Sequence, residues 1–99
     1  MAAENELVVL ATARAKPGRD AGLEAALHES GEATRKQPGC LQFELFRSVQ
    51  DPAAITALER WASEQDHDRH LRGDHIKTLM VRFEEILAAP PDIAPMKPL

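Results

Sequence analysis

"CLQFELFRSVQDPAAITALERW" (Cys40–Trp61) decides the fold. Its two ends are strand-like and its middle, "VQDP" (Val49–Pro52), is a turn. In the first run, Cys40–Ser48, Leu41, Phe43 and Leu45 alternate with Gln42, Glu44 and Phe46. Side chains of a strand point to opposite faces in turn, so the first three share one face and the second three the other. In the second run, Ala53–Trp61, the shared face carries Ile55, Ala57, Glu59 and Trp61. Two such runs joined by a short turn predict an antiparallel hairpin.

The flanking segments decide what the hairpin joins. "ELVVLATAR" (Glu6–Arg14) is β-branched and apolar on both faces, the pattern of a buried strand. Pro17 and Gly18 turn the chain. From Arg19 to Gln37, Leu23, Ala26, Leu27, Ser30, Ala33 and Thr34 then recur at helical spacing. Asp20 and Glu24 suit the positive end of that helix, Arg35 and Lys36 its negative end, and Pro38 and Gly39 stop it. After the hairpin, Ser63 caps a second helix, with Asp66 in the place of the usual Glu or Gln of a capping box. Gly73 interrupts this helix, and Ile76, Leu79, Met80, Phe83 and Leu87 form an apolar stripe on its second part. "APPDIAPMKPL" (Ala89–Leu99) carries four prolines and admits only a short edge strand.

The order strand, helix, strand, strand, helix, strand is the ferredoxin-like split βαβ pattern. It is an α+β fold with helices on one face of a four-stranded antiparallel sheet. The bare face would carry Phe46 and part of the first strand's apolar set. Exposing it is unfavourable, and a face-to-face homodimer is the simplest remedy. A chain of 99 residues fits one domain over 1–99, with 1–5 and 98–99 expected as flexible ends. It buries roughly two-thirds of its unfolded surface, enough for one core.

Charge and cysteine content narrow the function classes. Twelve basic and sixteen acidic residues give a net charge of −4, which offers no broad attraction to nucleic acid or an anionic membrane. The basic "RAKPGR" (Arg14–Arg19) is too short for a binding arm. Glu4 and Glu6 stand where a signal peptide would be positive, and Thr12 and Arg14 break the apolar run, so neither a signal nor a membrane span is expected. One cysteine, Cys40, permits no internal disulfide and fits a reducing, cytoplasmic setting. At a strand start, with no histidine beside it in sequence, Cys40 reads as a small buried hydrophobe rather than a nucleophile.

"HDRHLRGDHI" (His67–Ile76) holds three of the four histidines. A helical zinc pair wants spacing i, i+4, and this segment offers 3, 5 and 8 with Gly73 between. No cysteine or compact carboxylate set completes a tetrahedron, so no metal is expected. His67, between Asp66 and Asp68, reads as a solvated position. His70 and His75 adjoin Leu71 and Ile76, which are expected to enter the core, so either could reach the mouth of a cavity and accept a proton there.

"KPGRDAGLEAAL" (Lys16–Leu27) and the long run "QPGCLQFELFRSVQDPAAITALERWASEQDHDRHLRGDHIKTL" (Gln37–Leu79) resemble the antibiotic biosynthesis monooxygenase family. The glycine-led strand "PGCLQFEL", the "DP" turn, "LERW" and a histidine about nine residues after the Trp occur in the family's order. The likeness runs from about Leu7 to Pro98. It implies a dimeric α+β barrel. The family includes cofactor-independent oxygenases of phenols and quinols, haem-degrading enzymes and an isomerase of a phosphorylated signal molecule. Its recurring residues fall on Glu59, Trp61 and His70. By this alignment, the haem branch's Asn and axial His are replaced by Ala11 or Thr12 and by Met80, which disfavours haem.

These readings give one main expectation. The protein is a cofactor-independent monooxygenase that oxidises a small phenolic or quinol substrate with dioxygen. His70 and Glu59 are catalytic, and Trp61, Phe43, His75, Leu79 and Phe83 contact substrate. No nucleotide or flavin fingerprint appears in the sequence. The alternatives are an acid–base isomerase of a small metabolite and a non-enzymatic small-molecule-binding dimer. An isomerase of a phosphorylated compound would need Arg47, Arg60, Arg69 or Arg72 to converge on one site.

Overall fold

The structure, a computed structural model, describes residues 5–99. Residues 1–4, most of the N-terminal segment expected to be flexible, lie outside the described residues. The elements run in the anticipated order. They are β1 (Leu7–Arg14), α1 (Asp20–Arg35), β2 (Cys40–Arg47), β3 (Ala54–Trp61), α2 (Glu64–Leu71), α3 (Asp74–Ile86) and β4 (Asp92–Met96). The sheet order is β2-β3-β1-β4, all antiparallel, the ferredoxin-like arrangement.

β3 follows its sequence pattern residue by residue. Ile55, Ala57, Glu59 and Trp61 are buried, and the residues between them are half-buried. β2 departs at one point. A register shift between Cys40 and Gln42 leaves Leu41 half-exposed instead of beside Phe43 and Leu45. The shift has the two-against-one pairing of a bulge, which takes one residue out of the alternation. Gly39 just before it has φ +83, and a Cβ there would lie 2.2 Å from the Asp66 carboxyl carbon. Only glycine meets both conditions.

The predicted break at Gly73 separates α2 from α3. Ser63 accepts the Asp66 amide at 3.2 Å, as a cap should. The reciprocal half of the box differs, because Ser63 Oγ donates to Asp66 Oδ2 at 2.9 Å. Ile76, Leu79, Phe83, Ile86 and Leu87 of the α3 segment pack with Leu23, Ala26 and Leu27 of α1 on one sheet face. Met80, expected in that stripe, is 36% exposed, because it stands at the mouth of a cavity rather than in the core. Leu71 likewise stays at that mouth instead of entering the core. Gly31 in α1 lets the Phe43 ring lie directly on the helix; a Cβ there would meet the ring at 2.7 Å.

The other sheet face is uncovered by helix. It presents Val8, Leu10, Leu58, Phe46 and Met96, with Leu10 and Leu58 paired across β1 and β3. Phe46 and Met96 are about half-exposed. Glu6 and Arg60 form an ion pair, Oε1 to Nη2 2.6 Å. No helix among the described residues is long and apolar enough to cross a membrane.

Candidate active site

β3 carries Glu59 and Trp61 toward the helices, two residues apart on one face. α2 then crosses above them. The buried residues of this eight-residue helix are His67 and His70, one turn apart, with Leu71 beside them at the rim of a cavity. They pack against the Trp61 indole, with ring centroids 5.9 Å and 4.7 Å from it. His67 is therefore buried, at 7% exposure, and not solvated as its aspartate neighbours suggested. A signal for this was present in the sequence. Leu71 is the one apolar residue of Glu64–Leu71 and ends the helix, so the histidines at i, i+3 are what the middle of the helix can bury.

The cavity between sheet and helices measures about 60 Å³. Phe43, Leu79 and Phe83 form apolar walls. Glu59, His67 and His70 supply titratable groups, and Ser30 and Thr34 supply hydroxyls from α1. Leu71, Met80, Pro91 and Ile93 surround the opening. Two expected contact residues stand elsewhere. Trp61 is wholly buried behind Glu59 and is not part of the lining. His75 faces a separate surface depression with Ala33 and Arg82.

The hydrogen bonds define roles for the polar groups. Trp61 Nε1 donates to Glu59 Oε1 at 2.9 Å. No arginine pairs with Glu59 among the described residues; Arg60 turns to Glu6, and Arg35 to the Phe43 carbonyl. His70 Nε2 lies 3.8 Å from Glu59 Oε1, and its Nδ1 lies 2.6 Å from Gln37 Oε1. Thr34 donates its hydroxyl proton to Ser30 O at 2.8 Å, so its oxygen is free to accept from His75 Nε2 at 3.2 Å. Sequence reasoning missed Gln37, which sits in the turn after α1 with no motif to mark it.

Burial sets the ionisation of the pair. Glu59 is pushed up to about 7, because removing its charge from water outweighs the Trp61 hydrogen bond that favours the carboxylate. His70 is pushed down to about 4 by burial and by the neighbouring His67 and His75. His67 and His75 are lowered by burial as well. Near neutrality the imidazoles are therefore neutral, and Glu59 is the group poised to gain or lose a proton. Burial also raises the Cys40 thiol, which leaves little thiolate for nucleophilic work.

The fold and site together define a small ferredoxin-like α+β protein with a carboxyl–imidazole pair at one apolar cavity. The chain belongs to the antibiotic biosynthesis monooxygenase family, which it matches over residues 7–82. No curated protein matches the sequence. Solved structures match it over nearly their whole length. PA3566 of Pseudomonas aeruginosa is 26% identical with a TM-score of 0.88, covering 96% of this chain and 95% of its own. An antibiotic biosynthesis monooxygenase is 25% identical with a TM-score of 0.86, covering 94% and 98%. Rv0793 of Mycobacterium tuberculosis, at 24% identity and a TM-score of 0.89, covers 95% of each chain and shares the fold.

Proposed function

We propose that this protein is a cofactor-independent monooxygenase that oxidises a small phenolic or quinol ring with dioxygen. The observation that carries the reading is the Glu59–His70 pair, 3.8 Å apart, at a cavity whose other walls are mostly apolar. Phe43, Leu79 and Phe83 would hold the ring. The ring hydroxyl would lie against the Glu59 carboxyl. Glu59 is the base, because a group titrating near neutrality is best matched to the transfer. Once Glu59 holds the hydroxyl proton, its O–H can donate to His70 Nε2, an acceptor on the same side of the site. This reverses the emphasis expected from sequence, where the imidazole was the titrating group.

The chemistry balances without a further reductant. Loss of the hydroxyl proton to Glu59 leaves an electron-rich phenolate. The phenolate passes one electron to dioxygen, and the resulting radicals join to form a carbon–oxygen bond. Proton return from Glu59 assists cleavage of the O–O bond and release of water. A quinol and one dioxygen become a hydroxyquinone and one water, with all four electrons drawn from the ring. A cavity that admits benzene is on the order of 150 Å³. Admission of a ring here therefore requires Leu71, Met80 and Ile93 at the opening to move aside.

No lysine or arginine lines the cavity among the described residues, which argues against the isomerase of a phosphorylated substrate. Arg47, Arg60 and Arg69 are engaged in ion pairs with Glu24, Glu6 and Asp66, and Arg72 pairs with Asp68. The single thiol supports a cytoplasmic setting. The uncovered sheet face supports a homodimer formed through Leu10, Leu58 and Phe46.

The test is dioxygen uptake with a panel of quinols and phenols. Uptake matched one-to-one by hydroxyquinone, and lost in Glu59→Gln, is expected. Uptake no faster than autoxidation across the panel would overturn the reading.

A further inference from the structure

We infer that Gln37 is a positioning residue that fixes the tautomer of His70, so that the Nε2 lone pair faces the cavity and Glu59. As a contribution to turnover this rests on the proposed oxygenase reading; as a statement about the imidazole it stands alone.

The argument starts from donor and acceptor identities. Gln37 Oε1 is a carbonyl oxygen and can only accept. At 2.6 Å from it, His70 Nδ1 must carry the hydrogen. A neutral imidazole has one N–H, so Nε2 is left as an acceptor. Nε2 is the atom that lies 3.8 Å from Glu59 Oε1. That Glu59 oxygen already accepts the Trp61 N–H. The site therefore presents an acceptor on the imidazole opposite a carboxyl that gains or loses a proton, so a Glu59 that has taken a proton can donate it to Nε2.

The backbone makes Gln37 a fixed post. Its N–H donates to Thr34 O at 3.0 Å, and its carbonyl accepts from the Cys40 N–H at 3.2 Å. The turn is thus tied to the end of α1 on one side and to β2 on the other. Its side chain reaches the gap between α2 and α3. There its amide nitrogen passes Gly73, where a Cβ would lie 3.4 Å away. The other groups around His70 do not compete for Nδ1. His67 from α2 and His75 from α3 approach it as rings, with centroids 5.9 Å and 5.6 Å away. His75 Nε2 is occupied by Thr34.

The experiment is long-range nitrogen–proton correlation NMR on the ¹⁵N-labelled full chain, for the parent, Gln37→Leu and Gln37→Glu. The parent should show His70 protonated on Nδ1. Gln37→Leu removes the acceptor, and the signal should move toward Nε2 protonation. Gln37→Glu keeps an acceptor and should restore the parent tautomer, with His70 titrating higher beside the added charge. On a confirmed substrate, kcat of Gln37→Leu should fall at least about tenfold with KM little changed, short of the roughly 10²–10⁴-fold worth of a general base. Gln37→Glu should recover turnover. An Nε2-protonated His70 in the parent, or an unchanged tautomer in Gln37→Leu, would overturn the assignment. Absence of quinol oxidation would count against the oxygenase reading alone, because the tautomer is read without substrate.

Discussion

Trp61 donates its indole N–H to Glu59 from two positions along the same strand, Nε1 to Oε1 2.9 Å, with both residues almost wholly buried. The bond and the burial act in opposite directions on the carboxyl, and burial prevails. Hydrogen bonds to charged groups contribute roughly 1.5–3 kcal/mol, and one pKa unit is about 1.4 kcal/mol. Trp61→Phe keeps an aromatic ring and removes the donor. It should raise the Glu59 pKa by about one unit or more. A carboxyl-detected NMR titration checks this, and the alkaline-rising limb of the rate profile should move the same way. An unmoved titration would mean that the indole serves packing alone.

Glu59→Gln should alter how stability depends on pH. The Glu59 carboxyl rises from 4.5 to about 7 on folding, so its neutral form is favoured in the folded chain. Stability from this group is present below 4.5 and lost as pH rises through about 7. His70 falls from 6.5 to about 4, so its part is present above 6.5 and lost as pH falls through about 4. Between about 4.5 and 6.5 the two slopes oppose each other, since folding in effect moves one proton from imidazole to carboxyl. The Gln variant lacks the alkaline loss. Relative to the parent, it should gain about 2 kcal/mol between pH 5 and pH 8 in urea unfolding. Parallel curves for the two proteins would contradict a raised Glu59.

The sequence made the sheet legible because β3 has strict alternation and its turns carry Pro and Gly. Helix α1 was legible from Leu23, Ala26 and Leu27 at helical spacing. The bulge was not legible, since Leu41 continues the alternation in letters while the backbone shifts beneath it. Helix α2 misled for a different reason. Its buried residues are His67 and His70, usually read as polar, and the indole of Trp61 beneath them turns that face into a packed one. Gln37 joins the site across 33 residues of chain through one hydrogen bond, a relationship that no local pattern encodes.

His67 and His70 should separate in function although both are buried. His70 Nε2 faces Glu59, whereas the nearest ring partners of His67 are Trp61 and His70. His70→Ala should lose roughly 10–10²-fold in turnover, the worth of one strong hydrogen bond to the carboxyl that holds the transferred proton. His67→Ala should retain more activity and be destabilised by about 1–2 kcal/mol through lost packing on the indole. Chemical unfolding and steady-state rates of both variants decide this. Equal loss of turnover in the two would assign His67 a direct part.

Association through the uncovered sheet face gives the last prediction. Leu10 and Leu58 lie side by side near its centre, with Phe46 and Met96 about half-exposed on the strands that flank them. A stable interface hides about 800 Å² on each partner and places its apolar residues centrally. Leu58→Glu puts a charge at that centre. In a two-fold dimer the same change occurs on both surfaces, so the two charges would be brought near each other and desolvated together. The parent should sediment as a dimer at micromolar concentration and Leu58→Glu as a folded monomer. Helical content should be unchanged, because α1 and α3 pack on the opposite face. A monomeric parent would remove the proposed interface. A dimeric Leu58→Glu would move it to another surface.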